Sequence, residues 1–239
     1  MTERHLRPSA RVLVIAAAAL VVLAVFAAAT YTPFFHLRDV RVEGTSVLTR
    51  AAVLRAAGLD SATNVFHLDA ARIDAALEAD PWVLRADVER HLPGTVVIRI
   101  TERTPIAMAL RGAQAEAVAA DGVALPGAAL QGLPQIRASL GELSDADRIA
   151  AAEALAAMPP ILRSRVASVV ALIDGELRIQ LAGGLSVLYG RGGDDATKAA
   201  SLGSVLRWAA DRHVSLSIVD VSVPGAPSAT LADGSTFRP

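Results

Sequence analysis

The chain contains no cysteine, so disulfides and thiolate metal sites are excluded, although that absence leaves the redox compartment open. It has a single lysine, Lys198; its other cationic side chains are arginines, and with the heavy alanine content this reads as genome composition bias. Aromatic residues make up 4% of the chain, too few for a surface that stacks single-stranded nucleic acid. A net charge of −1 gives no general attraction to nucleic acid either. The sequence holds no Gly-x-Ser-x-Gly elbow, no Walker or dinucleotide-binding spacing, and no two histidines at metal-ligand spacing among His5, His36, His67, His91 and His213. What is present is apolar material: 53% of 239 residues are hydrophobic and 20% are charged, enough to build one or two folded domains and too much for wholesale disorder.

The longest apolar run is VLVIAAAALVVLAVFAAA, residues 12–29. As a helix it would extend about 27 Å, close to the ~30 Å hydrocarbon core of a bilayer. Arg4, Arg7 and Arg11 precede it, which favours a cytoplasmic N-terminus. Two readings fit: a single membrane anchor over residues 12–31, with Val12, Leu20 and Ala29 facing lipid, or a secretory signal cleaved near Ala27-Ala28-Ala29. Both place everything that follows outside the cytoplasm. A folded segment begins almost at once, because FFHLRDVRVEG (34–44) alternates like a β-strand within a few residues of the run.

The exported part predicts an α+β architecture. A strand over 37–43 ends at Gly44. Thr49 caps a helix over 50–57 that stops at Gly58, and Asp69 caps a second over 70–79, with Pro81 just beyond its end. Two strands follow around the turn His91-Leu92-Pro93-Gly94, the second rich in β-branched residues over 95–101. The order β-α-α-β-β makes a three-stranded sheet with two helices on one face, residues 35–104. Residues 105–239 predict a mainly antiparallel β domain with two helices. Its features are a hairpin at Asp121-Gly122, a helix from Ser144 to about Ala157 ended by Pro159-Pro160, a meander over 166–189, a helix over 196–210, and two last strands in SLSIVDVSVPG and PSATLADGSTF.

No chemistry emerges from this part. Asp145 and Asp147 sit at a helix start, where dipole capping explains them, and Asp194-Asp195 has the same reading. Gly190-Arg191-Gly192-Gly193 could cradle an anion before a helix, but the two aspartates that follow oppose one. Trp82 and Trp208 read as core anchors.

The run PWVLRADVERHLPGTVVIRITERTP resembles the FtsQ-type POTRA domain of the FtsQ/DivIB family of bacterial cell-division proteins. The residues that carry the resemblance are Leu37, Val40, Val42 and Gly44, then Trp82, Val83, Val88, Arg90, Pro93, Ile98, Ile100, Glu102, Arg103 and Pro105. Further on, VAADGVALP, Lys198 on its helix, and IVDVS (218–222) are similar to that family's β domain. The resemblance implies an uncleaved anchor after a cytoplasmic tail of residues 1–11, a type II single-pass protein of the cell membrane, and concentration at the division septum. It implies no enzyme, no cofactor, no metal, no nucleic acid and no small-molecule substrate. The implied role is an essential scaffold that links upstream, mostly cytoplasmic division proteins to downstream, mostly extracytoplasmic septal-wall proteins. Partners would be an FtsB/DivIC- and FtsL-type coiled coil, bound by the edge of the β domain at Val221, Ser222, Val223, Ser228, Ala229, Thr230 and Leu231. The alternative that stays open is an exported POTRA-containing binding or assembly module unrelated to division. A POTRA-bearing transporter would need a membrane barrel, and residues 105–239 carry too few alternating segments for one.

Overall fold

Thr30 closes the apolar helix with its own side chain, which donates to Ala27 O at 2.7 Å and so caps the last turn. The structure, a computed structural model, describes residues 10–112 and 114–237. The expected cytoplasmic tail, 1–11, lies almost wholly outside the described residues. Helix α1 spans Ala10–Thr30, and its segment Val12–Thr30 has the length and mean hydropathy (3.0) of a membrane span. The folded chain divides into two compact units between Glu102 and Arg103.

In the first unit, a short 3-10 turn (Pro33–Phe35) leads to β1 (Asp39–Glu43), α2 (Arg50–Ala57), α3 (Ala70–Glu78), β2 (Val83–His91) and β3 (Thr95–Glu102). The capping residues act as the sequence indicates: Thr49 accepts from Ala52 N, Asp69 accepts from Arg72 N, and Gly58 ends α2 in the left-handed region. The strand order is β1-β3-β2, with β1 parallel and β2 antiparallel to the central β3. Val53, Ile73 and Leu77 from the helices close over Val83, Val88, Val96, Ile98 and Ile100 on one sheet face. Gly44 is required where β1 turns away: its φ is +83°, and a Cβ there would lie 2.1 Å from Ile100 O.

The second unit comprises β4 (Ala107–Arg111), β5 (Gln114–Val118), β6 (Ala124–Leu125), β7 (Gln135–Ala138), α4 (Asp145–Ala156), α5 (Pro160–Arg163), β8 (Val166–Ala171), β9 (Leu177–Leu181), β10 (Ser186–Gly190), α6 (Asp195–Asp211), β11 (Leu216–Asp220), β12 (Ser228–Leu231) and β13 (Thr236–Phe237). The strands form one ten-stranded sheet in the order β13-β12-β11-β10-β9-β8-β7-β4-β5-β6. Most neighbours are antiparallel. The pairs β4–β7, β7–β8 and β10–β11 are parallel, and the last two need the helical crossovers that α4 and α6 supply. Alanines on α4 (Ala151, Ala152, Ala154) let it lie close to the sheet, and α6 adds Leu202 and Val205 to the same core.

Several expectations change. Pro160 starts the short helix α5 at its first position, where a missing N–H costs nothing, so the unit has three helices. Strand β7 is QIRA, where only Ile136 is buried and the alternation is too short to read from sequence. PSATLADGSTF is two strands, split at Asp233-Gly234. Trp82 and Trp208 are half-buried, not core.

Candidate interaction surfaces

The motif residues of the first unit are mostly structural. Val83, Val88, Ile98 and Ile100 are buried, and Leu37, Val40 and Val42 pack half-buried against them. Trp82 N donates to Asp80 Oδ1 at 2.9 Å. Arg90 reaches from β2 to the loop before α3, donating to Leu68 O at 3.0 Å and Phe66 O at 3.4 Å. Pro93 follows a cis peptide bond in the β2–β3 turn. Gly94 beside it accepts from Arg38 N at 2.8 Å, so this turn lies against the segment leading into β1.

Glu102, at the end of β3, gathers the loop before α2. Its carboxylate accepts from Leu48 N (2.8 Å), Ser46 N (3.0 Å), Val47 N (3.0 Å) and Ser46 Oγ (2.6 Å). Burial pushes this carboxyl up, but the hydrogen bonds from Ser46, Leu48 and Val47 together outweigh it and hold the group below the ordinary glutamate range. Arg103 opens the second unit and pairs with Asp121 at 2.8 Å, at the Asp-Gly turn after β5. Pro105 is half-buried just before β4.

At the far end of the large sheet, the expected edge is partly displaced. Strand β11 stops at Asp220, whose Oδ1 accepts from Ser222 N at 2.9 Å and turns the chain. Val221 is therefore not on an edge: it is fully buried and donates to Leu188 O. Ser222 packs against Gly190, where a Cβ would lie 2.8 Å from it, and Val223 is exposed. Ser228, Ala229, Thr230 and Leu231 do form a strand, β12, but it is flanked on both sides. Its outer neighbour is β13, with Ala229 opposite Phe237 and Thr230 opposite Thr236. The outermost strand is thus β13. Phe237 stacks on Trp208 of α6 at 4.2 Å and 8° between planes, and Arg212 lies over the Trp208 ring at 5.0 Å. Asp233-Gly234 was the available signal for that last turn.

The Gly190–Asp194 loop is held from inside. Lys198 is 3% exposed, donates to Arg191 O, and sits 5.1 Å from the Tyr189 ring centroid. Burial, with Asp195 nearby, pushes the Tyr189 hydroxyl far up, so it stays protonated and donates to Asp195 O at 3.3 Å. This lysine locks the loop against the sheet. Among the described residues no group of three histidine or acidic side chains could hold a metal ion.

In the first unit, Val12, Leu20 and Ala29 are exposed on α1. The connector between α2 and α3 zips onto the segment after the span: Leu37 N donates to Thr63 O and Val65 N to Phe35 O.

A family model described as POTRA domain, FtsQ-type, matches residues 35–103. The cell division protein FtsQ of Streptomyces coelicolor is 29% identical over 248 residues, which covers 95% of this chain and 91% of that protein. Residues 35–103 thus form an FtsQ-type POTRA domain, in a chain that is similar over most of its length to FtsQ cell-division proteins. FtsQ of Mycobacteroides abscessus is 26% identical over 199 residues, covering 83% of this chain and 62% of its own length. FtsQ of Myxococcus fulvus is 35% identical over 81 residues, where the match spans 34% of this chain and 28% of that protein. Among solved structures, the major extracytoplasmic domain of the trans isomer of the division protein DivIB from Geobacillus stearothermophilus aligns at a TM-score of 0.34 and 15% identity, covering 48% of this chain and 98% of that one. The FtsQ-type match ends one residue past β3 and covers the part of the first compact unit that follows α1. Among the described residues one helix, α1, is long and apolar enough to cross a membrane, as a single-pass protein requires.

Proposed function

We propose that this protein is a non-enzymatic scaffold of the division machinery. Its N-terminus is cytoplasmic and its two folded units lie outside, concentrated at the septum. The second unit captures an FtsB/DivIC- and FtsL-type coiled coil and so links upstream, mostly cytoplasmic division proteins to downstream septal-wall proteins. The observation that carries the binding half of this reading is the outer end of the large sheet. Among the described residues the sheet ends on β13 (Thr236–Phe237), outside β12, an edge beside which a partner segment can pair by strand addition.

Capture of purified FtsB- and FtsL-type proteins in detergent tests this. Truncation after Val223, which removes β12 and β13, is expected to abolish capture while the first unit keeps its fold. Leu231→Glu, at a half-buried position, is expected to weaken binding tenfold or more, about 1.4 kcal/mol, with the thermal midpoint unchanged. Undiminished capture by the truncated chain sinks the proposed site. In cells, a fluorescent fusion should form mid-cell rings, and depletion should give filaments; uniform membrane signal with normal division sinks the scaffold role.

A further inference from the structure

We propose that the membrane-facing pole of the first unit is itself a lipid-binding surface, seated in the headgroup–acyl boundary of the bilayer that α1 crosses. The proposal rests on the spanning reading of α1 and is independent of the scaffold role.

The geometry begins at Thr30, the last residue of α1 and 4% exposed. Its carbonyl accepts from Asn64 Nδ2 at 2.8 Å, and its hydroxyl lies 3.0 Å from His67 Nε2. Tyr31 stacks on the His67 ring at 4.3 Å. The connector at 64–67 is therefore bonded to the end of the span itself, and cannot be lifted from the bilayer surface by a linker. A helix that ends at the edge of the hydrocarbon puts anything bonded to its last turn at headgroup depth.

The side chains at this pole suit that depth. The chain has nine aromatic residues of the Phe, Tyr and Trp types. Four of them, Tyr31, Phe34, Phe35 and Phe66, meet here in a chain of edge and stacked contacts that runs through His67. Tyr31 and Phe34 leave 70% and 56% of their surface uncovered, although they are large and apolar. Leu92, at the tip of the β2–β3 turn, is 54% exposed, and that turn is bonded to the same segment through Gly94 O. Arg38 lies over the Phe34 ring at 5.4 Å and donates to Phe34 O, which places a cation at the rim of the apolar cluster. Amphipathic aromatics with a neighbouring arginine are the composition that partitions into the bilayer interface. In water, the same exposed cluster would be an unexplained cost.

The absence of cysteine makes the test clean. Phe34→Cys, Leu92→Cys and Val47→Cys would each be spin-labelled in the full chain. Val47 is 55% exposed and neighbours Glu102, at the other end of the strands. In nanodiscs of phosphatidylethanolamine and phosphatidylglycerol, collision with oxygen is compared with collision with a water-soluble nickel chelate. Labels at 34 and 92 are expected to show an oxygen-to-nickel ratio severalfold above that at 47. Equal ratios at all three sites would mean that the pole is only tethered near the membrane and would overturn the proposal. Protection at 34 and 92 accompanied by spin–spin broadening would identify a second copy as the occupant and overturn it equally. Incorporation of the chain into the disc, checked by intact mass, separates failure of this proposal from failure of the spanning reading.

Discussion

At the residue scale, Glu102 shows how a family signature can serve folding before it serves recognition. Its carboxylate takes three backbone N–H groups that the turn before α2 would otherwise leave to solvent. Glu102→Gln is expected to destabilise the first unit by about 1 kcal/mol, because a neutral amide keeps the shape and loses the charge-assisted bonds, which solvent already weakens. The sign with pH follows from the lowered carboxyl. The folded state holds its proton less tightly than the unfolded chain, so this stabilisation is complete above the ordinary glutamate value of about 4.3 and fades as pH falls through the folded value. Urea midpoints of wild type and Glu102→Gln should differ at pH 7 and converge in acid. A constant difference across pH would assign the loss to shape alone. Gly44→Ala should be worse, since it combines a left-handed φ with a backbone clash at Ile100 O.

At the element scale, the small sheet was legible and the large one only in part. Thr49, Gly58 and Asp69 are local signals acting on local structure, and the β-branched run over 95–101 holds β3 in the centre. The capping box at Ser144 was equally readable, with Ser144 Oγ accepting from Asp147 N at 3.0 Å. What sequence could not supply was long-range order: nothing local in Gln135–Ala138 says that it pairs with both β4 and β8. The same limit misplaced the edge. IVDVS reads as a continuous strand, and only Asp220 bonding Ser222 N shows where it stops. The outer strand among the described residues, β13, is pinned by a side chain from another element, Trp208, over which Arg212 lies. Phe237→Ala is therefore expected to speed amide hydrogen exchange in β12 and β13 severalfold while leaving β8–β10 unchanged, at a cost near 0.5–1.5 kcal/mol for the lost ring pair. Equal acceleration across the sheet would mean that Phe237 supports the whole core.

At the scale of the whole molecule, the first unit is a built continuation of its membrane helix. Asn64 and His67 hold Thr30 from the side, and Leu37 and Phe35 are zipped to the same connector. A flexible Gly/Ser insertion after Thr32 is expected to leave membrane partition and partner capture in detergent intact, yet to fail in complementing depletion, because the first unit loses its seat on the helix end. Full complementation would show that the junction's rigidity has no role in division. The direction of β3 then has a mechanical meaning. It starts beside the junction, at Thr95 next to Gly94, and ends at Glu102. Eight residues at ~3.3 Å each span at most about 26 Å from one end of β3 to the other. Bonded to the span at Thr30, the first unit is a spacer of folded length, so the reach of β3 and not the slack of a tether bounds how far from the helix end Glu102 can lie.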